Sequence, residues 1–329
     1  MTNERLTEHV TCLGCGCGCD DITVKVSDGK IVDLTPTCPI GRAWFGDGVV
    51  PSEVRLDGRD ADLQATIAAA AAALVEAAGR CLIYLGLDLT SEAQRGALCL
   101  ADLLRATVDS PTSTAAAEGL LAAQRRGRAA ATLGEIRNRG DLVVFWGVDP
   151  AERYPRYATR YALHPDGTHV GGDHGGRTVI GVSIGTDRCI GGADLTLELQ
   201  PDEEVPALSL MRAALLGQRV SSASPKLRQA VELADRLSHA RYAVLVHDAE
   251  SGAAERDPLR AEALIGLAQA LNTPTRAALS SLRGGGNRLG AEAVLTAQAG
   301  YPFAVDYSRG VPRYLPERRG AFSGLEVSP

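Results

Sequence analysis

Aromatic residues are scarce in this sequence, lysine is nearly missing, and long apolar runs are absent. Phe, Trp and Tyr make up 4% of the 329 residues, so any core has to be built mainly from Ala, Leu and Val. Lysine occurs only at 25, 30 and 226, and the arginines are interleaved with acids to a net charge of −6. No basic stripe results, which excludes the electrostatic footprint of a nucleic-acid binder. No apolar run of eighteen residues free of charge or glycine occurs, so no membrane is expected as a partner. The first residues carry no basic-then-apolar leader, and the expected address is the cytoplasm. No Gly-x-Ser-x-Gly elbow, Walker-type phosphate loop or His-Glu-x-x-His pair is read in the chain, so the common marks of serine-nucleophile, nucleotide and zinc enzymes are not expected.

Five of the eight cysteines fall between positions 12 and 38, in Cys12-Leu-Gly-Cys15-Gly-Cys17-Gly-Cys19 and a later Cys38. In a reducing compartment, thiols this dense are metal ligands before they are disulfides. The spacing Cys12-x2-Cys15-x3-Cys19-x18-Cys38 supplies four thiolates, which suits a [4Fe-4S] cluster. A four-thiolate zinc site and thiols without metal are the other two readings; zinc ribbons usually show a second tight pair, which is missing here. Cys17 can take the place of Cys15 or Cys19 as a ligand. Cys81, Cys99 and Cys189 read as small buried hydrophobes. His164, His169 and His174 recur in a glycine-containing stretch and read as a solvated loop. Leu282 to Arg288, with three glycines between two arginines, reads as a glycine loop able to cradle an anion.

The polar segment 1–9 predicts a frayed end. Alternating apolar positions from Asp21 to Asp33 around Ser-Asp-Gly predict a β-hairpin that returns Cys38 toward the earlier cysteines. Strands are expected at 81–87, 141–147, 178–183, 194–199 and 242–246. Helices are expected at 61–79, 91–105, 116–126, 149–161, 202–217, 226–239 and 258–271. Such alternation predicts α/β layers with a parallel sheet. From Leu279 onward the chain reads as loop-rich.

Several segments resemble one family. They are Cys-x2-Cys-x3-Cys-Asp-Asp-Ile at 12–22, Ser91–Arg95, Thr132–Arg139, Phe145–Pro150, Pro155–Tyr157 and Gly300–Tyr314. In order, these resemble the B-subunit of formylmethanofuran dehydrogenase, itself related to molybdopterin-dependent formate dehydrogenases, and more closely its counterpart in the bacterial formyltransferase/hydrolase complex. The resemblance implies an α/β fold like domains I–III of the molybdopterin oxidoreductases, truncated at the C-terminus, with a small β-rich cysteine lobe in front. It implies a cysteine lobe at 1–54, an α/β middle lobe at 55–112 and 273–329, and an inserted α/β lobe at 113–272. It also implies that Cys12, Cys15, Cys19 and Cys38 match the ligands of a [4Fe-4S] cluster.

Two departures stand against that likeness. The family's loop with the molybdenum or tungsten ligand falls on 109–117, which puts Ala115 where the ligand belongs and Ala116 where a histidine belongs. An alanine methyl has no lone pair for a metal and cannot move a proton. The strand end that helps hold the pterin dinucleotide is Val182-Ser-Ile-Gly-Thr186 here. Molybdo- or tungstopterin is therefore expected to be absent, and catalytic residues with it. The implied function is a non-catalytic subunit of a formyltransferase/hydrolase complex in tetrahydromethanopterin-linked one-carbon metabolism. Partner hydrolase and formyltransferase subunits would move formyl groups to a methanofuran-type carrier and release formate. The alternatives are an active dehydrogenase subunit interconverting carbon dioxide and formate, and a cluster-bearing electron carrier or scaffold without pterin.

Overall fold

Alternating apolar residues from Ile22 to Leu34 put one face of a hairpin inward. In the computed structural model, β1 (Glu4–Cys12), β2 (Cys19–Ser27) and β3 (Lys30–Thr35) form an antiparallel sheet in the order β1-β2-β3. Asp28 and Gly29, both at positive φ, make the tight turn that joins β2 to β3. The structure describes residues 4–49, 53–86, 88–115, 117–163, 167–170, 176–249 and 259–318, apart from the side chains of 114–118. β1 corrects the frayed end: eight of its nine residues are exposed or half-exposed, so the strand is held by its ladder to β2 and carries no apolar signal.

The chain divides into two compact units, residues 1–117 with 284–329, and residues 118–283. The first holds the cysteine sheet followed by α1 (Pro39–Phe45), a small hairpin of β4 (Arg55–Leu56) and β5 (Arg59–Asp60), and α2 (Leu63–Glu76). β6 (Leu82–Tyr84), α3 (Ser91–Leu104), β7 (Thr107–Asp109) and the short α4 (Thr112–Ala115) follow. Thr90 caps α3, its hydroxyl accepting the Ala93 N–H at 3.2 Å. A core of Leu85, Leu98, Leu104, Val108, Val294 and Leu295 ties α3 to the returning chain.

The second unit runs through α5 (Ala117–Arg126), α6 (Leu133–Arg139), β8 (Leu142–Trp146), β9 (Thr178–Ile184), β10 (Leu195–Leu199), α7 (Pro201–Leu215), α8 (Pro225–Ser238), β11 (Tyr242–Asp248), α9 (Arg260–Leu271) and β12 (Arg276–Leu282). Its five strands stand in the order β10-β9-β8-β11-β12 and every pairing is parallel. β8, β9 and β11 are buried almost throughout, which is why they read as continuous apolar runs. The helix expected over 149–161 breaks into turns with one π-helical turn at Ala158–Ala162, because Pro155 cannot donate inside a helix.

The stretch after Leu279 is more regular than its glycines suggest. β12 pairs in parallel with β11, so 276–282 belongs to the inserted sheet and not to the middle lobe assigned from 273 onward. The chain then re-enters the first unit as α10 (Arg288–Ala299), β13 (Val305–Asp306) and β14 (Arg313–Tyr314), giving a four-stranded sheet in the order β14-β13-β7-β6. Ala291, Val294, Leu295 and Ala299 form the buried face of α10, a helical period masked by Gly290 and Gly300 at its two ends. Among the described residues no helix is long and apolar enough to cross a membrane.

Candidate cysteine site

Cys12 is the last residue of β1 and Cys19 the first of β2, and the ladder sets them directly opposite each other. The hairpin thus draws two thiols together and leaves the loop of Cys15 and Cys17 above them. Cys38 arrives as the N-cap of α1, ahead of Pro39, with its sulfur accepting the Gly41 N–H at 3.4 Å. The Cys12 sulfur accepts the Gly14 N–H at the same distance. Gly41 is where the two segments meet. A Cβ there would stand 3.2 Å from the Cys12 sulfur, 3.8 Å from that of Cys38 and 2.7 Å from Thr37 Oγ1. Only glycine leaves both sulfurs room at that point.

All five cysteines of the lobe therefore converge. Burial pushes the Cys12 thiol up, against the Gly14 N–H, and the neighbouring Cys19, Cys15 and Cys38 raise it further. A hydrogen bond with Cys17 brings Cys15 down to about 7. Cys17 is 1% exposed; its hydrogen bonds to Cys15 and Cys19 hold its proton far above the usual thiol value, and burial adds to this. Cys17 is thus a proton-bearing neighbour between two thiols, a role its spacing did not reveal. Among the described residues no three His, Cys, Asp or Glu side chains are grouped as ligands of one metal ion. As a donor set, four convergent thiols with backbone N–H groups on two sulfurs fit a [4Fe-4S] cluster, whose four irons each take one thiolate.

The glycine loop after β12 is the back wall of this site. Cys15 forms an antiparallel bridge with Gly284, and the Gly286 N–H bonds to the Leu13 carbonyl at 2.8 Å. A Cβ on Gly285 would lie 2.4 Å from the Gly14 carbonyl oxygen, so two backbones touch where no side chain fits. The three glycines are visible in the sequence, but their contact with a loop some 270 residues earlier is not.

The other candidates fare differently. Cys81 and Cys189 are half-buried and Cys99 is exposed, so the reading of three buried hydrophobes is corrected: Cys99 sits on the solvent side of α3, whose inner face is Gln94, Leu98, Ala101 and Leu104. His169 is exposed, while His164 and His174 lie outside the described residues. Ala115 closes α4, and Ala116 lies outside the described residues. Just before them is a polar group that sequence reasoning missed. Asp109, Ser110, Thr112 and Ser113 are all buried. Ser113 Oγ donates to Asp109 at 3.0 Å, Ala304 N–H does so at 3.2 Å, and burial raises the Asp109 carboxyl above the usual range.

In the second unit the chain reverses its strand order between β8 and β11, the place where parallel sheets usually open a ligand crevice. Here their ends carry internal pairs. Arg153 pairs with Asp248, which Tyr154 also approaches, and His247 bonds to Ser281 at 3.0 Å. Glu204 takes both the Trp146 indole N–H at 2.7 Å and the Arg260 guanidinium. Gly181-Val-Ser183-Ile-Gly185 has the pattern of a hydrolase nucleophile elbow, which corrects the reading that the sequence holds none. Ser183 lies inside β9, not on a sharp turn, and its hydroxyl accepts the Cys189 N–H at 3.1 Å.

These features define a mixed α/β protein with a thiol lobe at its front and a parallel-sheet unit inserted into its sequence. Its fold is similar to a chain of the formyltransferase/hydrolase complex of Methylorubrum extorquens, solved with methylofuran, at a TM-score of 0.61 and 24% identity, over 80% of this chain and 70% of that one. Among curated proteins it is 31% identical over 327 residues to the B-subunit of the tungsten-containing formylmethanofuran dehydrogenase 2 of Methanocaldococcus jannaschii, spanning 95% of this chain and 74% of that protein. The same subunit of Methanococcus maripaludis is 31% identical over 321 residues, 94% of this chain and 74% of that one. No protein-family model matches the chain. The chain belongs to the formylmethanofuran dehydrogenase B-subunit family.

Proposed function

We propose that this chain is a non-catalytic subunit of a formyltransferase/hydrolase complex, in which partner subunits carry formyl groups between tetrahydromethanopterin and a methanofuran-type carrier and hydrolyse them to formate. The observation behind this reading is Ala115, with Ala116 beside it, at the positions that resemble the metal ligand and its histidine in the dehydrogenases. The residues present do not fit a molybdo- or tungstopterin centre, because this chain offers the metal no donor atom there. The ion pair of Arg153 with Asp248, at the end of β11, supports the same reading, since each neutralises the other's charge. In this reading the fold corresponds to domains I–III of the molybdopterin oxidoreductases, the protein acts in the cytoplasm, and the thiols of Cys12, Cys15, Cys19 and Cys38 hold a [4Fe-4S] cluster that braces the small lobe.

The retained thiol lobe favours one second reading, an electron carrier or scaffold that keeps the cluster without pterin. Metal and pterin analysis of the anaerobically purified complex separates these readings. The expected result is no tungsten, molybdenum or pterin in a complex active in formyl transfer and hydrolysis, with about four irons per chain. Stoichiometric tungsten or molybdenum with pterin would overturn the proposal in favour of a working dehydrogenase. A cluster that cycles between redox states during turnover would favour the carrier.

A further inference from the structure

Four irons take four thiolates, yet five cysteines meet in the front lobe, so one thiol is left over. Cys12 and Cys19 stand opposite each other across the β1–β2 ladder, and Cys38 enters from the N-cap of α1. Cys15 and Cys38 are half-buried. Cys17 is the deepest of the five, 1% exposed against 6% for Cys12 and 5% for Cys19. Gly16 and Gly18 flank it, and Gly18, at a φ of 52°, bends the chain between Cys17 and the first residue of β2.

The donors around the sulfurs say what a spare thiol does there. The Cys12 sulfur accepts the Gly14 N–H and the Cys38 sulfur the Gly41 N–H, each at 3.4 Å. The Cys15 sulfur accepts the N–H of Cys17. The Cys17 side chain in turn hydrogen-bonds to both Cys15 and Cys19. Cys12, Cys15 and Cys38 thus each have a backbone donor, and the Cys17 thiol adds one that Cys15 and Cys19 share. Hydrogen bonds to the sulfurs of an iron-sulfur centre help to set its reduction potential, because they stabilise the more negative, reduced state more than the oxidised one. Burial strengthens that effect, since little water screens it.

We propose that Cys17 is a positioning residue of the [4Fe-4S] site: it binds no iron, and its S–H, shared between the Cys15 and Cys19 sulfurs, raises the reduction potential of the centre. This rests on the reading above in which Cys12, Cys15, Cys19 and Cys38 hold a cluster. The test is a redox titration of the anaerobically purified full chain, as wild type, Cys17→Ala and Cys17→Ser, followed by electron paramagnetic resonance of the reduced centre and with iron and sulfide counted in each. All three are expected to keep about four irons per chain. The Cys17→Ala midpoint is expected to shift to more negative potential. The Cys17→Ser midpoint is expected to stay at or above the wild-type value, because its hydroxyl keeps a donor at that place. A Cys17→Ala midpoint equal to the wild type, with iron retained, overturns the proposal and leaves the cluster reading standing. Serine bound to iron would be a harder ligand and would lower the midpoint. A Cys17→Ser value below the wild type therefore overturns the proposal whatever becomes of the alanine variant, and so does loss of iron from both variants, which makes Cys17 a ligand. Wild-type protein without iron is a different failure, that of the cluster reading itself, and the proposal falls with it.

Discussion

At the residue scale, the cysteines of the front lobe are not interchangeable, although their spacing makes them look alike. Cys15 shares a hydrogen bond with Cys17, which favours the Cys15 thiolate and moves its titration down to about 7. In metal-free protein Cys15 is therefore expected to be the cysteine of this lobe that iodoacetamide alkylates first near pH 7. The rate should climb through that pH, because the thiolate is the nucleophile and its population grows as pH rises past the titration point. Cys17→Ala removes the bond and should carry the midpoint back toward that of an ordinary thiol, slowing alkylation at pH 7. Peptide mapping of the alkylated protein across pH 6 to pH 9, about the range over which such thiols titrate, checks both outcomes. Equal labelling of Cys15 with and without Cys17 would remove the hydrogen bond as the cause.

At the element scale, the same substitution is expected to act in opposite directions at two glycines. Gly285 lies against the Gly14 carbonyl in the wall behind the thiols, and a Cβ there would be 2.4 Å from a backbone atom that cannot step aside. Gly285→Ala should destabilise the first unit by ~1–3 kcal/mol as the two loops separate, and lower the iron retained after anaerobic purification. Gly96 lies inside α3 with nothing within 4 Å of an added methyl. Gly96→Ala should stabilise by ~0.5–1 kcal/mol, since alanine loses less backbone freedom in a helix. Urea titration of both variants gives the two signs. A neutral Gly285→Ala would mean that the glycine loop is not held against the cysteine loop in solution. The sequence announced both glycines equally; the difference between them is a contact made across the length of the chain.

At the scale of the whole molecule, the second unit is continuous in sequence, has a core of its own and pairs all five of its strands within itself. The segment 118–283 is accordingly expected to fold when produced alone, with one cooperative unfolding transition by circular dichroism. A molten fragment would show that its core depends on the rest of the chain. The sequence by itself determined the helices and parallel strands of the inserted unit, apart from the broken helix at 149–161, the clustering of cysteines between 12 and 38, the alanines at 115 and 116, and membership of the formylmethanofuran dehydrogenase B-subunit family, because periodicity and residue chemistry are local. It did not reveal β1, α10 or the sheet to which β12 belongs: β1 is held by ladder hydrogen bonds with little buried surface, α10 is framed by glycines, and strand partnership is a choice among distant segments. Only the tertiary structure decided that Cys17 lies among its neighbours as a proton donor and that the glycine loop walls the thiol site. It likewise left Leu63, Ile67 and Val75 of α2 exposed. Each of these depends on which residues meet after the chain has returned on itself, and no local pattern encodes that.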